Sequence, residues 1–277
     1  MVLAEKVKPS LIEGWEESEN IQIEAIVTVR LENDAKRVIK SVVRIEDTHS
    51  NVISIDVQDS IGKISEVVAK KVKGEAEIAD PRSKLKNATI SEIVAQVKEL
   101  PMNAMERVVE MMEMNLFASE EGLKEKAGLG IGALLRELVD EDYLSDDLIT
   151  SAQIMAASAA DLRMGGFDNP IMSCAGSGNQ GITASLPIIA VASKRGYAVR
   201  SLLIGRRNGQ LSEEEQGKLK HLTRALALSS LLTCYVTYHS KYLSALCGCA
   251  VKAGLGATAG IAYLLDGKEE TVKMAIQ

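Results

Sequence analysis

Apolar and polar residues alternate with a period near two through the first 60 positions, and the period becomes helical from Ala88 onward. Ile21-Gln22-Ile23-Glu24-Ala25-Ile26-Val27-Thr28-Val29 alternates and is rich in β-branched residues, which predicts a strand. Lys36 to Glu46, carrying Val38, Val42 and Val43, predicts a second strand, and Val52 to Val57 a third. Leu31-Glu32-Asn33-Asp34 reads as a turn, with Asn33-Asp34 as the hairpin loop between the first two strands. Three antiparallel strands need a covering layer to be stable, and Lys63 to Lys73 is expected to supply one as a helix. Residues 74–88 are charged, contain Pro81 and read as a linker.

Beyond the linker the chain reads as a succession of helices. Thr89 or Ser91 caps one that runs to about Leu100, where Pro101 interrupts it. Asn103 is expected to cap the next, which holds Val108, Val109, Met111, Met112 and Met114; methionines at this spacing read as core filler. Leu129 to Val139 predicts a further helix. Ser145 is expected to open another through Asp146 to Arg163, rich in Ala and Ser and so suited to close helix–helix approach. Gly165 is a plausible C-cap for it. Asn208 to Gly217, with Glu213, Glu214 and Glu215, reads as an acidic solvated turn. Leu219 to Tyr238 is strongly helical, and Gly267 precedes a last helix beginning near Glu269. Gly254, Gly256 and Gly260 recur in a helical pattern where each costs stability, which makes sense where helices pack very closely or backbone borders a cofactor. The whole pattern predicts an α+β fold: a small α/β domain with an antiparallel sheet over residues 1–80, then a mostly helical domain over 81–277.

Between the Ala/Ser-rich helix and the next apolar run lies Ser173-Cys174-Ala175-Gly176-Ser177-Gly178-Asn179-Gln180-Gly181. Ile182 to Ser193, apart from Pro187, is helix-compatible, so the glycine stretch feeds a helix N-terminus. Unpaired N–H groups and the helix dipole there favour an anion. The N–H groups from Ser177 to Gly181 would hold a carboxylate, Asn179 would orient the ligand, and Arg163 or His49 would assist; the plain alternative is a tight turn between buried helices. The stretch also spells G-x-G-x-x-G. In that reading Tyr197 to Ile204 would be a strand and Arg206-Arg207 would meet the 2′-phosphate of NADP. Only Ile171 and Met172 stand where the preceding strand should be.

Composition narrows the partners. A charge of −6 argues against nucleic acid or an anionic membrane surface. No run approaches the roughly 18 uninterrupted apolar residues of a membrane span. Met1-Val2-Leu3-Ala4-Glu5-Lys6 does not read as a signal peptide, which leaves the cytoplasm as the expected compartment. With aromatic residues at 3%, the core must be built from Ala, Val, Ile, Leu and Met. Cys174, Cys234, Cys247 and Cys249 are then thiols or metal ligands rather than disulfides. On a helix, Cys247 and Cys249 would point to different sides and would converge only if Gly248 broke it.

Four separated stretches resemble the L-cysteine desulfidase family, which is related to the α domain of iron–sulfur L-serine dehydratases. They are Arg163-Met164-Gly165-Gly166, Ser173 to Ile182, Arg224-Ala225-Leu226-Ala227-Leu228-Ser229 and Leu243-Ser244-Ala245-Leu246-Cys247-Gly248; Thr48-His49-Ser50-Asn51 resembles a fifth family element. The resemblance implies a four-iron four-sulfur cluster on three protein cysteines, with Cys247 at a ligand position. It also implies β-elimination from a small amino acid, giving pyruvate, ammonia and H₂S or water. The family's Gly-Cys-Thr-Glu-Pro and Ile-Cys-Asp-Gly segments are not found here, so the chain reads as a central fragment, a split-gene product or a degenerate paralogue. It is expected to hold no stable cluster and to lack elimination activity by itself. A homo-oligomer, or a non-catalytic subunit whose partner chain carries the missing segments, is the corresponding expectation for partners.

Overall fold

A computed structural model describes strands Gln22–Leu31, Asp34–Glu46, Val52–Asp59 and Ile64–Val67, together with residues 84–277 other than 242, 243, 245 and 246. The chain divides into two compact units, Met1–Asp80 with Lys241–Ala245, and Pro81–Ser240 with Leu246–Gln277. An α+β fold is present: a small antiparallel sheet near the N-terminus and a larger helical part.

The first unit is an antiparallel meander of β1 (Gln22–Leu31), β2 (Asp34–Glu46), β3 (Val52–Asp59) and β4 (Ile64–Val67) in that spatial order. Ala25 pairs with Val43 and Val43 with Ile55, so these apolar residues of the three strands fall in register. Val42 is 5% exposed. Arg44 Nη1 donates to Asp56 Oδ2 at 2.6 Å and to Ser54 Oγ at 3.2 Å across β2 and β3. The helix expected over Lys63 to Lys73 is not what forms at its start. Ile64–Val67 is a fourth strand, paired with Ile55 to Gln58 of β3. The β-branched ends of this segment suit a strand, and β3 offers it an edge whose backbone groups need partners. Residues 68–73, the part of the expected linker over 74–83, and the element Thr48-His49-Ser50-Asn51 lie outside the described residues.

The second unit is built of α1 (Ile90–Glu99), α2 (Glu106–Lys124), α3 (Ile131–Asp140), α4 (Leu148–Met164), α5 (Gly178–Lys194), α6 (Val199–Arg207), α7 (Glu213–Ser240), α8 (Gly254–Asp266) and α9 (Glu269–Ala275). Thr89 and Glu92 form a capping box on α1. Its side chain and backbone bonds satisfy two otherwise orphaned N–H groups. Four boundaries differ from the sequence pattern. Asn103 falls inside a 3₁₀ turn, Met102–Met105, and α2 starts at Glu106 without a side-chain cap. Asp147, not Ser145, caps α4 by accepting from the Thr150 N–H. Tyr197 to Ile204 is no strand: Val199, Leu202 and Leu203 are buried at helical spacing on α6. Glu213 to Gly217 is the first turn of α7, because Ser212 Oγ accepts from the Glu215 N–H and the Glu215 carboxylate accepts from the Ser212 N–H.

Helix α5 is the spine of the unit and packs against α2, α4, α7 and α8. From Ile188 to Ala192 it is buried residue after residue, as the small-aliphatic composition requires when aromatic side chains are scarce. Small residues set the helix spacings. A Cβ on Gly122 of α2 would stand 2.0 Å from the Ser158 carbonyl oxygen of α4, and one on Gly132 of α3 would stand 2.5 Å from the Ser158 N. On α8, a Cβ at Gly256 would meet Thr233 Oγ1 at 2.3 Å, and one at Gly260 would meet Ile188 Cδ1 at 2.3 Å. Of the two reasons for recurrent glycines, close helix contact accounts for Gly256 and Gly260. Buried Asp161 on α4 accepts from the Gly132 N–H at 2.9 Å, capping α3 from a neighbouring helix.

Candidate functional site

The glycine stretch folds in two steps. Cys174 and Ser177 exchange both backbone hydrogen bonds at 3.1 Å across Ala175 and Gly176. Both central residues have positive φ, 47° and 79°, as a two-residue type I′ turn demands. Gly176 takes this conformation without penalty, whereas Ala175 is strained there. Ser177 then caps α5, its hydroxyl accepting from the Gln180 N–H. Gly181 lies directly under the incoming strand-like segment: a Cβ there would be 2.0 Å from the Met172 carbonyl oxygen.

That incoming segment is held by a residue the sequence pattern did not single out. Asn115, in the methionine-rich face of α2, is 0% exposed. Its Oδ1 accepts from the Met172 N–H at 3.0 Å, and its Nδ2 donates to Ser185 Oγ at 3.0 Å and to the Met172 carbonyl at 3.4 Å. Ser185 Oγ in turn donates to the Gly181 carbonyl at 2.8 Å. Helices α2 and α5 therefore grip the same stretch of backbone from two sides. A polar residue one turn from Met111 and Met112 on a mostly apolar helix face was the available signal.

At the mouth of the turn, Arg163 leaves the last turn of α4 and lays its guanidinium over Gly178, where a Cβ would be 2.5 Å from Nε. Arg163 Nη1 donates to Asn179 Oδ1 at 3.0 Å. Arg163, Gly178 and Asn179 thus meet on the exposed side of the α5 N-terminus. Gln180 does not join them. It is 5% exposed, accepts weakly from Thr237 Oγ1 at 3.5 Å, and its Nε2 stands 2.4 Å from where a Gly248 Cβ would lie. Its amide is a spacer between α5, α7 and the cysteine turn. Of the N–H groups expected to meet an anion, those of Ser177, Gln180 and Gly181 are taken by Cys174, Ser177 Oγ and the Ser177 carbonyl. His49 lies outside the described residues.

The cysteine turn reaches the same end of α5. Cys247 precedes the helical segment, Gly248 enters it, and Cys249–Ala253 is a turn of π-helix leading into α8. Because Cys247 is outside the helix, the i, i+2 divergence does not apply, and the Cys249 thiol donates to the Cys247 sulfur. N–H groups of Ala250 and Cys249 also point at that sulfur and hold the Cys247 thiol below its ordinary pKa. Burial, and then a charge on Cys247, push Cys249 the other way, while Thr183 on α5 and Arg163 partly offset this. Lys252 on the π turn is 1% exposed, its stem passing beneath Gly248, and burial draws its amine below the usual lysine range. A lowered folded-state pKa keeps the Cys247 thiolate populated as the pH falls below the range of a free thiol. Its stabilising contribution is present above the unfolded-state value and is lost as pH falls through the folded one. Iodoacetamide alkylation of the native chain, followed residue by residue against pH, should show Cys247 half-reacted below the roughly 8.5 of an unperturbed thiol, with Cys174 inert. A Cys247 midpoint at or above that of the unfolded chain would contradict this assignment.

The remaining cysteines form a second pair. Cys174 packs with Ala184 and Ala253, and Cys234 lies against the same nest. Among the described residues no group of three His, Cys, Asp or Glu side chains is placed to hold a metal ion. The described residues bring Cys247 together with Cys249 and Cys174 together with Cys234, two thiols in each place, where a four-iron cubane of the kind the resemblance implies takes three. The 2′-phosphate reading also loses its structural support: α6 replaces the strand, and Arg206 and Arg207 form ion pairs with Glu106 and Glu113 of α2. No helix among the described residues is long and apolar enough to cross a membrane.

An α+β chain with a type I′ glycine turn capping a buried central helix, and with cysteines at that helix's N-terminal end, has relatives of recognisable kind. The family model of the serine dehydratase alpha chain matches residues 21–277, and the chain belongs to that family. UPF0597 protein YhaM of Escherichia coli (strain K12) is 38% identical over 228 residues, covering 82% of this chain and 47% of YhaM. A UPF0597 protein of Clostridioides difficile (strain 630) is 34% identical over 235 residues, 85% of this chain and 50% of that one. The chain therefore spans about half the length of these curated relatives. No solved structure matches it.

Proposed function

We propose that the helical unit is the substrate-carboxylate site of a β-eliminating lyase of the L-serine dehydratase and L-cysteine desulfidase type, acting in the cytoplasm on a small amino acid. The observation that carries this reading is the meeting of Arg163, Gly178 and Asn179 with the Cys247-Gly248-Cys249 turn at one end of α5. Arg163 supplies a charge-assisted donor to a carboxylate, and the N–H groups of Gly178 and Asn179 supply the helix-end donors. Asn179 then fixes the ligand's orientation. Cys247, by family resemblance, stands at the position of a cluster ligand, and such a cluster supplies Lewis-acid help to a leaving thiol or hydroxyl when bound. The thiols gathered here number fewer than a cubane needs, which supports the view that further ligands come from outside the described residues, such as a partner chain.

Isothermal titration with L-cysteine and L-serine tests the carboxylate site directly. Binding of at least one is expected, weakened about tenfold or more in Arg163→Ala, the loss of one charged hydrogen bond worth about 1.5–3 kcal/mol. NADPH binding at micromolar concentration without response to either amino acid would overturn the reading. Anaerobic iron–sulfur reconstitution tests the thiol count separately: the chain alone should release no pyruvate from either amino acid. Pyruvate release by a chain carrying four irons would show that its own residues suffice.

A further inference from the structure

Cys174 opens the type I′ turn and is 6% exposed. Its Sγ lies on the face of α7 formed by Ser230, Thr233 and Cys234, donating toward the Ser230 carbonyl at 3.6 Å. Cys234 occupies the position four residues after Ser230 on the same helix and packs into the apolar nest of Cys174, Ala184 and Ala253. Nothing in the proposed chemistry uses these two sulfurs. They are nevertheless 60 residues apart in the chain, in contact in space, and attached to two elements whose relative position sets the glycine turn.

We propose that Cys174 and Cys234 form a redox modification site, a dithiol that hydrogen peroxide converts to an intramolecular disulfide tying the glycine turn to α7. Roles within the pair follow from their surroundings. Cys174 is held protonated, because the adjoining Cys234 sulfur, then burial, then a charge on Cys234 all oppose its ionisation. Cys234, half-buried, is the sulfur a small oxidant reaches. After losing its proton to water, Cys234 attacks one peroxide oxygen. The O–O bond breaks, leaving a sulfenic acid on Cys234 and a hydroxide that takes up a proton as the first water. Cys174 then attacks the sulfenic sulfur, the S–O bond breaks, and the Cys174 proton leaves with the hydroxyl as the second water. Two thiols are oxidised to one disulfide, and one peroxide is reduced to two waters. The bond pins the first residue of the turn to α7 and so couples oxidation to the geometry of the α5 N-terminus.

The test uses the full chain with Cys247→Ser and Cys249→Ser, so that the exposed pair cannot react. The reduced protein is treated with hydrogen peroxide, denatured, alkylated and mapped by mass spectrometry. The expected result is loss of both remaining thiols, a mass lower by two hydrogens, and a single linked peptide joining Cys174 to Cys234 that dithiothreitol reverses. The melting temperature of the oxidised form should rise by several degrees, since the cross-link closes a long loop. Accumulation of sulfinic acid on Cys234 with Cys174 still fully alkylatable would overturn the proposal, as would a linkage between chains in place of the internal one. The same mapping on the chain with all four cysteines must also yield the Cys174–Cys234 peptide, which keeps the test independent of how the double variant folds.

Discussion

Gly181→Ala should unfold at a much lower denaturant concentration than the parent chain, with a loss on the order of 3 kcal/mol. The added methyl carbon would stand 2.0 Å from the Met172 carbonyl oxygen, 3.0 Å from its carbon and 3.1 Å from the Cys174 N. All three are backbone atoms, so no side-chain rotation relieves the clash. Either the segment entering the turn lifts away from α5 or the first turn of α5 unwinds, and both break the Asn115 clamp on Met172. Gly217→Ala is the matched control. Gly217 sits exposed within α7, and a Cβ there meets nothing within 4 Å. Removing a helix-interior glycine of that kind should stabilise by about 0.5–1 kcal/mol. Urea unfolding at matched m-values reads both. A large loss at 181 beside a small gain at 217 is expected only if backbone contact, rather than glycine flexibility, is what position 181 requires. A Gly181→Ala chain as stable as the parent would remove that explanation.

Asn115→Leu is expected to cost about 3 kcal/mol and, more tellingly, to loosen one segment. Leucine keeps the branched side-chain skeleton but leaves the Met172 N–H and carbonyl and the Ser185 hydroxyl without the partner they now share. A buried backbone group deprived of its hydrogen bond costs about 1–3 kcal/mol, and the low-polarity surroundings of α2 and α5 keep water from replacing the amide. Hydrogen exchange should speed up at Met172, Cys174 and Ser177 by at least about tenfold, while the N–H groups of α8, whose packing rests on Gly256 and Gly260, exchange as before. If the amino-acid reading of the site is right, affinity falls as well, since the same backbone leads into Gly178 and Asn179. Uniformly faster exchange across the whole helical unit would mean that Asn115 supports the core rather than positioning the turn.

These two residues also mark where sequence reasoning stopped. The alternation of β1 to β3, the Thr89 cap, the long apolar α5 and the glycine-bounded last helix were legible because each depends on neighbours within one or two turns. The glycine stretch was likewise legible as a feed into a helix N-terminus, but nothing local announced that Ala175 would take positive φ. The Ser212-x-x-Glu215 capping box was equally local and was overshadowed by its acidic neighbours. The strand that the dinucleotide reading required at Tyr197 to Ile204 fails for a different reason: a short apolar run carries no period of its own, and burial of Val199, Leu202 and Leu203 on one side decides in favour of a helix. At Ile64–Val67 the deciding partner was the free edge of β3.

By itself, then, the sequence determined the α+β class, the succession of most helices, the presence of a glycine turn feeding a helix and the family to which the chain belongs, since all of these are written in spacing and local propensity. Tertiary structure alone decided which polar groups meet. It turned Gln180 inward against Gly248, placed Arg163 across Gly178, brought Asn115 to Met172 from 57 positions away, and sorted four cysteines into two pairs. Those outcomes depend on how closely helices approach. That approach is set by Gly122, Gly132, Gly256 and Gly260 meeting specific backbone and side-chain atoms on neighbouring helices, and no one-dimensional pattern contains the distance between two helices.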